Sequence, residues 1–591
     1  MGKGGNGKGG IRQQLGLKAK VKKSSPQATW LTSMYARGKL NASEVGSGAA
    51  AAASSSDNPC DLVTDLARAA PTRKKKGTKH SADILKRTIA STSHPSKIRL
   101  YEPYLADGYV WNRELSCREI QPVAILPPHE TLDAVIAAGD EDRWSKLGPG
   151  QEGFRAELLS WSNRVHTDLN QAVHWLCLAL WGDSAEMAKR NSIFLLCFCL
   201  LSGAVRRRFW IYTIAKRSLC DCGCAGKCSF ETPWAVVAWS MRALLIGRWP
   251  QRDHTGEKFP AGSWRAKKAG QPLRFRAAML YKCGDWSWMK SALNLRGWRG
   301  DKHNGMRMCW LCEAGFRNEH NCYDFSLGAS WRQAMVQMSE VAEDIRAAQF
   351  PSGIWSIPGL SIKSMMVDWM HCCCLGVLSY ASGNVLYELF KQCGGVLTTK
   401  HKPACTMLEN MMKAMAKELK VDPPFHSLTI GMIRSKGTKG PKLRLTATEG
   451  RHFLPVLLRM LERCFGLEDE RNRMMYNCLQ HLQDCYAQLS DWKSDGISTR
   501  LLATAARKHL ILYAELGHGR ADMYSWRCFP KHHMFIHAAE NRRTNPACDW
   551  NYGDETEIGL AADIAAKCNP TKLHVTLIPR YVLTFDMLGD C

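Results

Sequence analysis

Val173-His174-Trp175-Leu176-Cys177-Leu178-Ala179-Leu180 is an almost unbroken apolar run, and Trp181-Gly182-Asp183-Ser184 follows it directly. Two more runs of the same kind come next, Ile193–Leu201 and Phe209–Ile214. Short stretches that are apolar at nearly every position read as strands buried on both faces, not as surface helices. Gly182-Asp183-Ser184 and Ser202-Gly203 read as the turns between them. Trp234–Leu245 then reads as a helix, and Leu273–Tyr281 as a fourth strand that stops at Gly284-Asp285. The order is strand, strand, strand, helix, strand.

An antiparallel trio followed by a helix and a parallel strand is how a ribonuclease H-like fold begins. The expected class is therefore α/β, with a mixed sheet, and short connections between sequential strands make this topology economical. It would put Asp183 at the end of the first strand and Asp285 at the end of the fourth, so that the two carboxylates emerge side by side.

Outward from this core the pattern changes. Met335–Ala348, Met407–Leu419, Phe453–Cys464 and Asn477–Leu489 carry helical spacing without strand alternation, which predicts an all-helical insertion over residues 326–525. Residues 526–591 would return to the core through a helical stretch, Asp554–Lys567, stopped by Asn569-Pro570 and carrying Glu555. Residues 166–325 would hold the first part of the core with its cysteine-rich knuckles. Residues 101–165 read as a transition segment, with Pro127-Pro128 and an apolar-periodic piece at Leu132–Ala138.

The chain has 591 residues, a formal net charge of +26 and 21 tryptophans, enough apolar surface for a large core. Residues 1–100 hold 19 Lys and Arg against 5 Asp and Glu, with Gly-rich, Ala/Ser-rich and Lys-rich tracts, and read as a disordered basic arm. Such a polycation is drawn to phosphate backbones, and Arg73-Lys74-Lys75-Lys76 suits nucleic-acid contact and nuclear import. The longest apolar run, Ile193–Val205, falls short of the roughly 20 residues that cross a bilayer, and no secretory signal is visible. A nuclear protein with no membrane partner is expected. The 25 cysteines are then expected as reduced thiols, most of them packed in the core.

Phosphoryl transfer on nucleic acid is commonly run by two divalent ions about 3.5–4 Å apart, held by hard oxygen ligands. Asp183, Asp285 and Glu555 are the expected holders of Mg2+ or Mn2+. Asp554 reads as the cap of the Glu555 helix, and Glu557 as facing another side of it. Asp368 and His371 lie three apart, on one face if Met365–Leu378 is helical, within reach of the same site. Cys220, Cys222, Cys224 and Cys228 offer four thiolates among glycines that let the backbone wrap round a structural zinc ion. Cys309 and Cys312 form a CxxC knuckle that zinc would also suit, with His303, His320 and Cys322 as candidates to complete it. His533 and His537 stand at helical ligand spacing by themselves. Trp286, Trp288, Trp298 and Trp310, among Lys290, Arg296 and Arg299, could stack bases or fill the core.

These landmarks in this order resemble the transposases of CACTA-like elements and related ribonuclease H-like transposase reading frames, over about Trp181 to Leu583. The pieces are Trp181-Gly182-Asp183-Ser184-Ala185, Cys222-Gly223-Cys224, Lys282-Cys283-Gly284-Asp285-Trp286, Cys309-Trp310-Leu311-Cys312, Val367-Asp368-Trp369-Met370-His371, Leu375-Gly376-Val377, Pro530-Lys531-His532-His533 and Asp554-Glu555. The resemblance implies DNA cleavage and strand transfer at Asp183, Asp285 and Glu555, with element ends and target DNA as partners and a homo-oligomer as the assembly. Ser184 departs from the glycine that often follows the first aspartate. A transposase-derived, non-catalytic nucleic-acid-binding or scaffold protein is the alternative that the same residues allow.

Overall fold

The computed structural model describes residues 31, 34, 42–54, 100–138, 152–169, 175–188, 191–201, 208–293, 295, 308–316, 319–397, 401–422, 427–434, 440–493, 496–518 and 524–585. The runs Arg73–Lys76 and Arg296–Arg299, and His303, lie outside them.

Six strands form one mixed sheet: β1 (Tyr104–Asn112), β2 (Cys117–Ile125), β3 (Trp175–Ala188), β4 (Asn191–Leu200), β5 (Arg208–Ala215) and β6 (Arg276–Gly284). Their spatial order is β1-β2-β5-β4-β3-β6. β3, β4 and β5 pair antiparallel, and β6 lies parallel to β3 on its other side. Every residue of β5 is buried, as are eight consecutive residues of β4, which is why these strands read as continuous apolar runs.

Two sequence expectations fail here. Gly182-Asp183-Ser184 is not a turn: β3 runs on to Ala188, its Asp183 paired with Leu195 of β4. Neither do residues 101–165 form a mere transition, because β1 and β2 make a hairpin that joins the sheet through Ile125 and Tyr212. β2 carries Arg118 and Pro122 on its exposed face and Glu119 and Gln121 on the other. Polar side chains and proline suit a strand near a sheet edge and hide it from apolar patterning.

Among the helices, α1 (Ala42–Ser54) falls within the stretch read as disordered, yet it buries Val45 and Ala49. Its run of alanines, the best helix formers, is the reason. α2 (Pro128–Ala138) and α3 (Glu152–Arg164) precede the sheet's central strands, and α4 (Cys228–Ile246) crosses one face, against β1 and β6. α5 (Trp286–Leu293) starts directly after β6, and α6 (Met338–Ala347) follows. Then come α7 (Leu378–Gln392), α8 (His401–Glu418), α9 (Ala447–Met460), α10 (Glu470–Ser490), α11 (Ile497–Glu515) and α12 (Pro530–Glu540). No strand interrupts them among the described residues. α13 (Tyr552–Ala565) returns to the sheet against β3 and β4, and α14 (Leu573–Thr584) against β2 and β5.

Trp210 stacks on Tyr581 at 4.2 Å and donates its indole N–H to Glu557, so β5 is tied to both returning helices. Asp554 is not a helix cap: both its oxygens accept from the Arg208 guanidinium, at 2.9 and 3.1 Å, in a buried pair that fixes α13 on the sheet. Among the described residues, no helix is long and apolar enough to cross a membrane and no cysteine is in a disulfide.

Candidate metal and catalytic site

The parallel register of β3 and β6 ends on the pair Gly182 and Gly284, so Asp183, which continues β3 beside β4, and Asp285, which leaves β6, stand at the same level. Both glycines are required. A Cβ on Gly182 would sit 2.8 Å from the Trp288 indole nitrogen, and one on Gly284 would sit 2.6 Å from the same ring. Gly284 also has φ +152°, where side chains are strained. Trp288 thus lies over the last β3–β6 pair, held by its own amide, which donates to Asp285 Oδ1 at 2.7 Å. That bond caps α5 and points the Asp285 carboxylate back over the end of the sheet.

Two further elements close in from the helical side. Met365 pairs with Lys282 as a short parallel bridge beside β6, and the Met366 amide donates to the Lys282 carbonyl at 3.0 Å. Met365–Leu378 is therefore not one helix. The chain leaves this bridge at Asp368 and enters a π-helical turn, Met370–Val377, of the kind often found at functional sites. The Asp368 carboxylate is fully buried. Oδ2 accepts from the His371 amide and ring Nδ1, both at 2.7 Å, and Oδ1 accepts from the Asn551 amide at 2.9 Å, just ahead of α13. Asp368 thus positions two elements at once, and His371 and Glu555 meet with Nε2 3.4 Å from Oε1.

The result is a cluster in which one ligand atom each from Asp183, His371 and Glu555 lie within 4.8 Å of one another. Asp285 stands outside that limit but its charge is felt by both acids. Burial first, then the neighbouring Asp285, pushes the Asp183 carboxyl up to about 7, against which the Ser184 amide, donating at 2.6 Å, works only in part. Burial also raises Glu555, partly offset by His371 and reinforced by Asp368, Asp554 and Asp285. His371 moves up from its ordinary value despite its burial, because of the Asp368 hydrogen bond and charge and the charges of Glu555 and Asp183. The protein concentrates more negative charge here than it can hold without a cation or a proton, and the only cation among the clustered groups is the His371 imidazolium.

Lys282 escaped the sequence reading. Its side chain is wholly buried below Gly284, donates to the Cys283 carbonyl, and faces the Trp288 ring at 5.4 Å; burial lowers it to about 8. Nothing in the sequence separates it from the surface lysines.

Cys220, Cys222, Cys224 and Cys228 converge at the start of α4, their sulfurs within 4.8 Å of one another and Cys222 exposed. Although what burial it has works the other way, hydrogen bonds among the thiols pull Cys222 down to about 7. This group can hold a metal such as zinc.

Cys309 and Cys312 find their partners far from where they were sought. His320 bonds to Ser330, and Cys322 contributes only its carbonyl. The other two ligands are His533 and His537 of α12, and the four groups lie within 4.8 Å, all buried. These histidines and the knuckle are one cluster that can also hold a metal. Trp286, Trp288 and Trp310 are core residues, not base-stacking surfaces: Trp286 packs edge-on to Trp310, and Trp288 against Phe194, Phe230 and Trp234.

Set against models of known protein families and against curated proteins, the chain finds no match in either.

Proposed function

We propose that the chain is a metal-dependent DNA-cleaving and strand-joining protein on a ribonuclease H-like core, a transposase of the kind found in CACTA-like elements. The observation that carries this reading is the convergence of Asp183, Glu555 and His371, with Asp285 alongside, from elements hundreds of residues apart. The antiparallel β3-β4-β5 trio, α4 and the parallel β6 support it, as does the paired position of the two aspartates.

The donor set fits Mg2+ or Mn2+. Asp183, Asp285 and Glu555 offer hard carboxylate oxygens, and the burial and mutual repulsion that raise the Asp183 and Glu555 carboxyls are what a bound cation would offset. When bound, such ions activate an attacking oxygen and steady a leaving one. The protein's own contribution is positional. Trp288 and the two glycines fix the aspartates, Arg208 fixes the first turn of α13, and Asp368 fixes the His371 ring so that Nε2 faces Glu555. In the absence of a cation, His371 holds a proton at Nε2 between carboxylates.

On this reading the partners are element ends and target DNA, a homo-oligomer brings two ends together, Arg73–Lys76 grips phosphates, and the protein works in the nucleus. Zinc occupies Cys220, Cys222, Cys224 and Cys228 as a structural ion.

The test is Mn2+ binding followed by electron paramagnetic resonance, alongside nicking of supercoiled DNA. Asp183→Asn and Glu555→Gln should each weaken Mn2+ binding at least ten-fold and abolish nicking, with Asp285→Asn doing the same to nicking. Wild-type Mn2+ affinity in both Asp183→Asn and Glu555→Gln would overturn the assignment.

A further inference from the structure

We infer that the cavity bounded by α3, the Met365 segment beside β6 and the end of α12 binds a single guanine nucleotide, its phosphate on arginine and lysine and its base on Glu157. The cavity holds about 350 Å3. Pockets for organic ligands span about 300 to 1,000 Å3, so this one is too large for a bare phosphate and suits one nucleotide. Arg164, Lys363, Arg542 and Arg543 line it, together with one acid, Glu157. Leu311, Met335, Met365 and Ala538 supply apolar walls against which a flat ring packs.

Charge identifies the phosphate. Asp549 offsets Arg542 and Glu157 offsets one more cation, so two positive charges remain, which a phosphate monoester, at about −1.5 to −2, would neutralise. Arg542 Nε is fully enclosed and has no hydrogen-bond partner among the described residues, a donor that an anionic oxygen would satisfy. Glu157 identifies the base. All four cations act on it electrostatically, yet it forms no hydrogen bond or ion pair among the described residues, and burial raises its carboxyl by more than the cations lower it. A ligand with anionic groups on every side would be repelled by it. A carboxylate can only accept, through two oxygens side by side. Of the four DNA bases, guanine alone offers two adjacent donors on its pairing edge, the N1–H and the N2 amino group, and so matches a lone carboxylate best.

The cavity and the acidic site share one segment of chain. Met365, Met366 and Val367 line the cavity, the Met366 amide donates to the Lys282 carbonyl of β6 at 3.0 Å, and Asp368 comes next. A guanine nucleotide reaches such a pocket either free in solution or as a nucleotide turned out of a DNA duplex, whose unstacking costs a few kcal/mol. The chemistry of recognition is the same for both. The nucleotide assignment stands without the nuclease reading; only the DNA source rests on it.

The full chain is titrated calorimetrically with dGMP, with dIMP, which lacks the N2 amino group, and with deoxyguanosine, which lacks the phosphate. Saturable dGMP binding is expected, with both analogues weaker by about ten-fold or more, since each loses hydrogen bonds to charged groups. This series needs no variant. Glu157→Gln should bring dGMP down to the level of dIMP, and Lys363→Gln with Arg543→Gln, both exposed, should weaken dGMP by about ten-fold while leaving deoxyguanosine unchanged. No saturable dGMP binding, or dIMP and deoxyguanosine binding as tightly as dGMP, would overturn the assignment. So would loss of Mn2+ binding along with dGMP in these variants, because the defect would then lie in the fold. Displacement of dGMP by a duplex with one bulged guanine, and not by the fully paired duplex, assigns the nucleotide to DNA; dGMP binding that neither duplex displaces assigns it to the free pool.

Discussion

Asp183 is the residue on which the acidic site turns, and its proton offers a direct handle. Without a bound ion the folded carboxyl keeps its proton up to about 7, whereas its ordinary value is 3.8. Between these values the folded state binds more protons than the unfolded chain, so stability falls as pH rises through the window, and the loss is complete above its upper end. Asp183→Asn removes this titration. In chelator, the thermal midpoint of the variant should gain on the wild type as pH rises from about 4 to about 7, and Mg2+ or Mn2+ should close the gap by raising the wild type. A difference that does not change with pH would refute the assignment. Gly182 gives a second test at the same scale. Alanine there meets the Trp288 ring at 2.8 Å, and overpacking of this kind costs about 1–3 kcal/mol. Gly182→Ala should lower stability by that amount in chemical denaturation and weaken metal binding by displacing Asp183. What could be read from sequence at this scale were residues marked by their surroundings, Gly-Asp at the ends of apolar runs. Partnerships were not legible: nothing near Cys309 points to His537, because the contact is made by the fold and not by spacing.

The elements were legible in proportion to their burial. β3, β4 and β5 sit in the middle of the sheet and β6 at one end of it, but helices cover both faces of all four, so apolar side chains are demanded throughout and their runs stand out. β1 lies at the opposite edge with β2 beside it, and both carry charged or polar side chains, so the same rule conceals them. The end of β3 was misread because Gly-Asp-Ser is turn-like in composition, yet its pairing with β4 continues to Ala188. Docking of α13 was equally invisible, since it includes the hydrogen bond from Trp210 to Glu557 and a bidentate ion pair between Arg208 and Asp554, 346 residues apart. Both partners are buried, so removing one strands the other. Arg208→Ala should cost about 3–5 kcal/mol in urea unfolding. Arg208→Met with Asp554→Leu should recover most of that loss, because an apolar pair of similar volume replaces the ionic one. If the double variant is as unstable as the single, the stranded charge is not what the single variant loses.

Over the whole molecule the decisive quantity is charge. The chain carries +26, while its candidate metal site gathers carboxylates into one small region of the sheet. A metal-dependent site for phosphodiesters needs both, since a polyanion approaches an acidic pocket only when cations elsewhere on the protein hold its backbone. Each Lys or Arg that neutralises a phosphate on duplex DNA releases counter-ions and adds about 0.9 to the slope of log affinity against log salt. The run Arg73-Lys74-Lys75-Lys76 is the densest cluster of cations in the sequence. Its replacement by glutamine in the full chain should make that slope shallower by roughly 3–4 if all four contact phosphates. Fluorescence anisotropy on a DNA duplex at several salt concentrations measures it. On the proposed function Mn2+ binding should stay the same, because the run would act on the DNA and not on the metal. Loss of DNA affinity with no change in slope would mean that the run supports the fold and does not touch the backbone, and the basic arm would then lose its place in the mechanism.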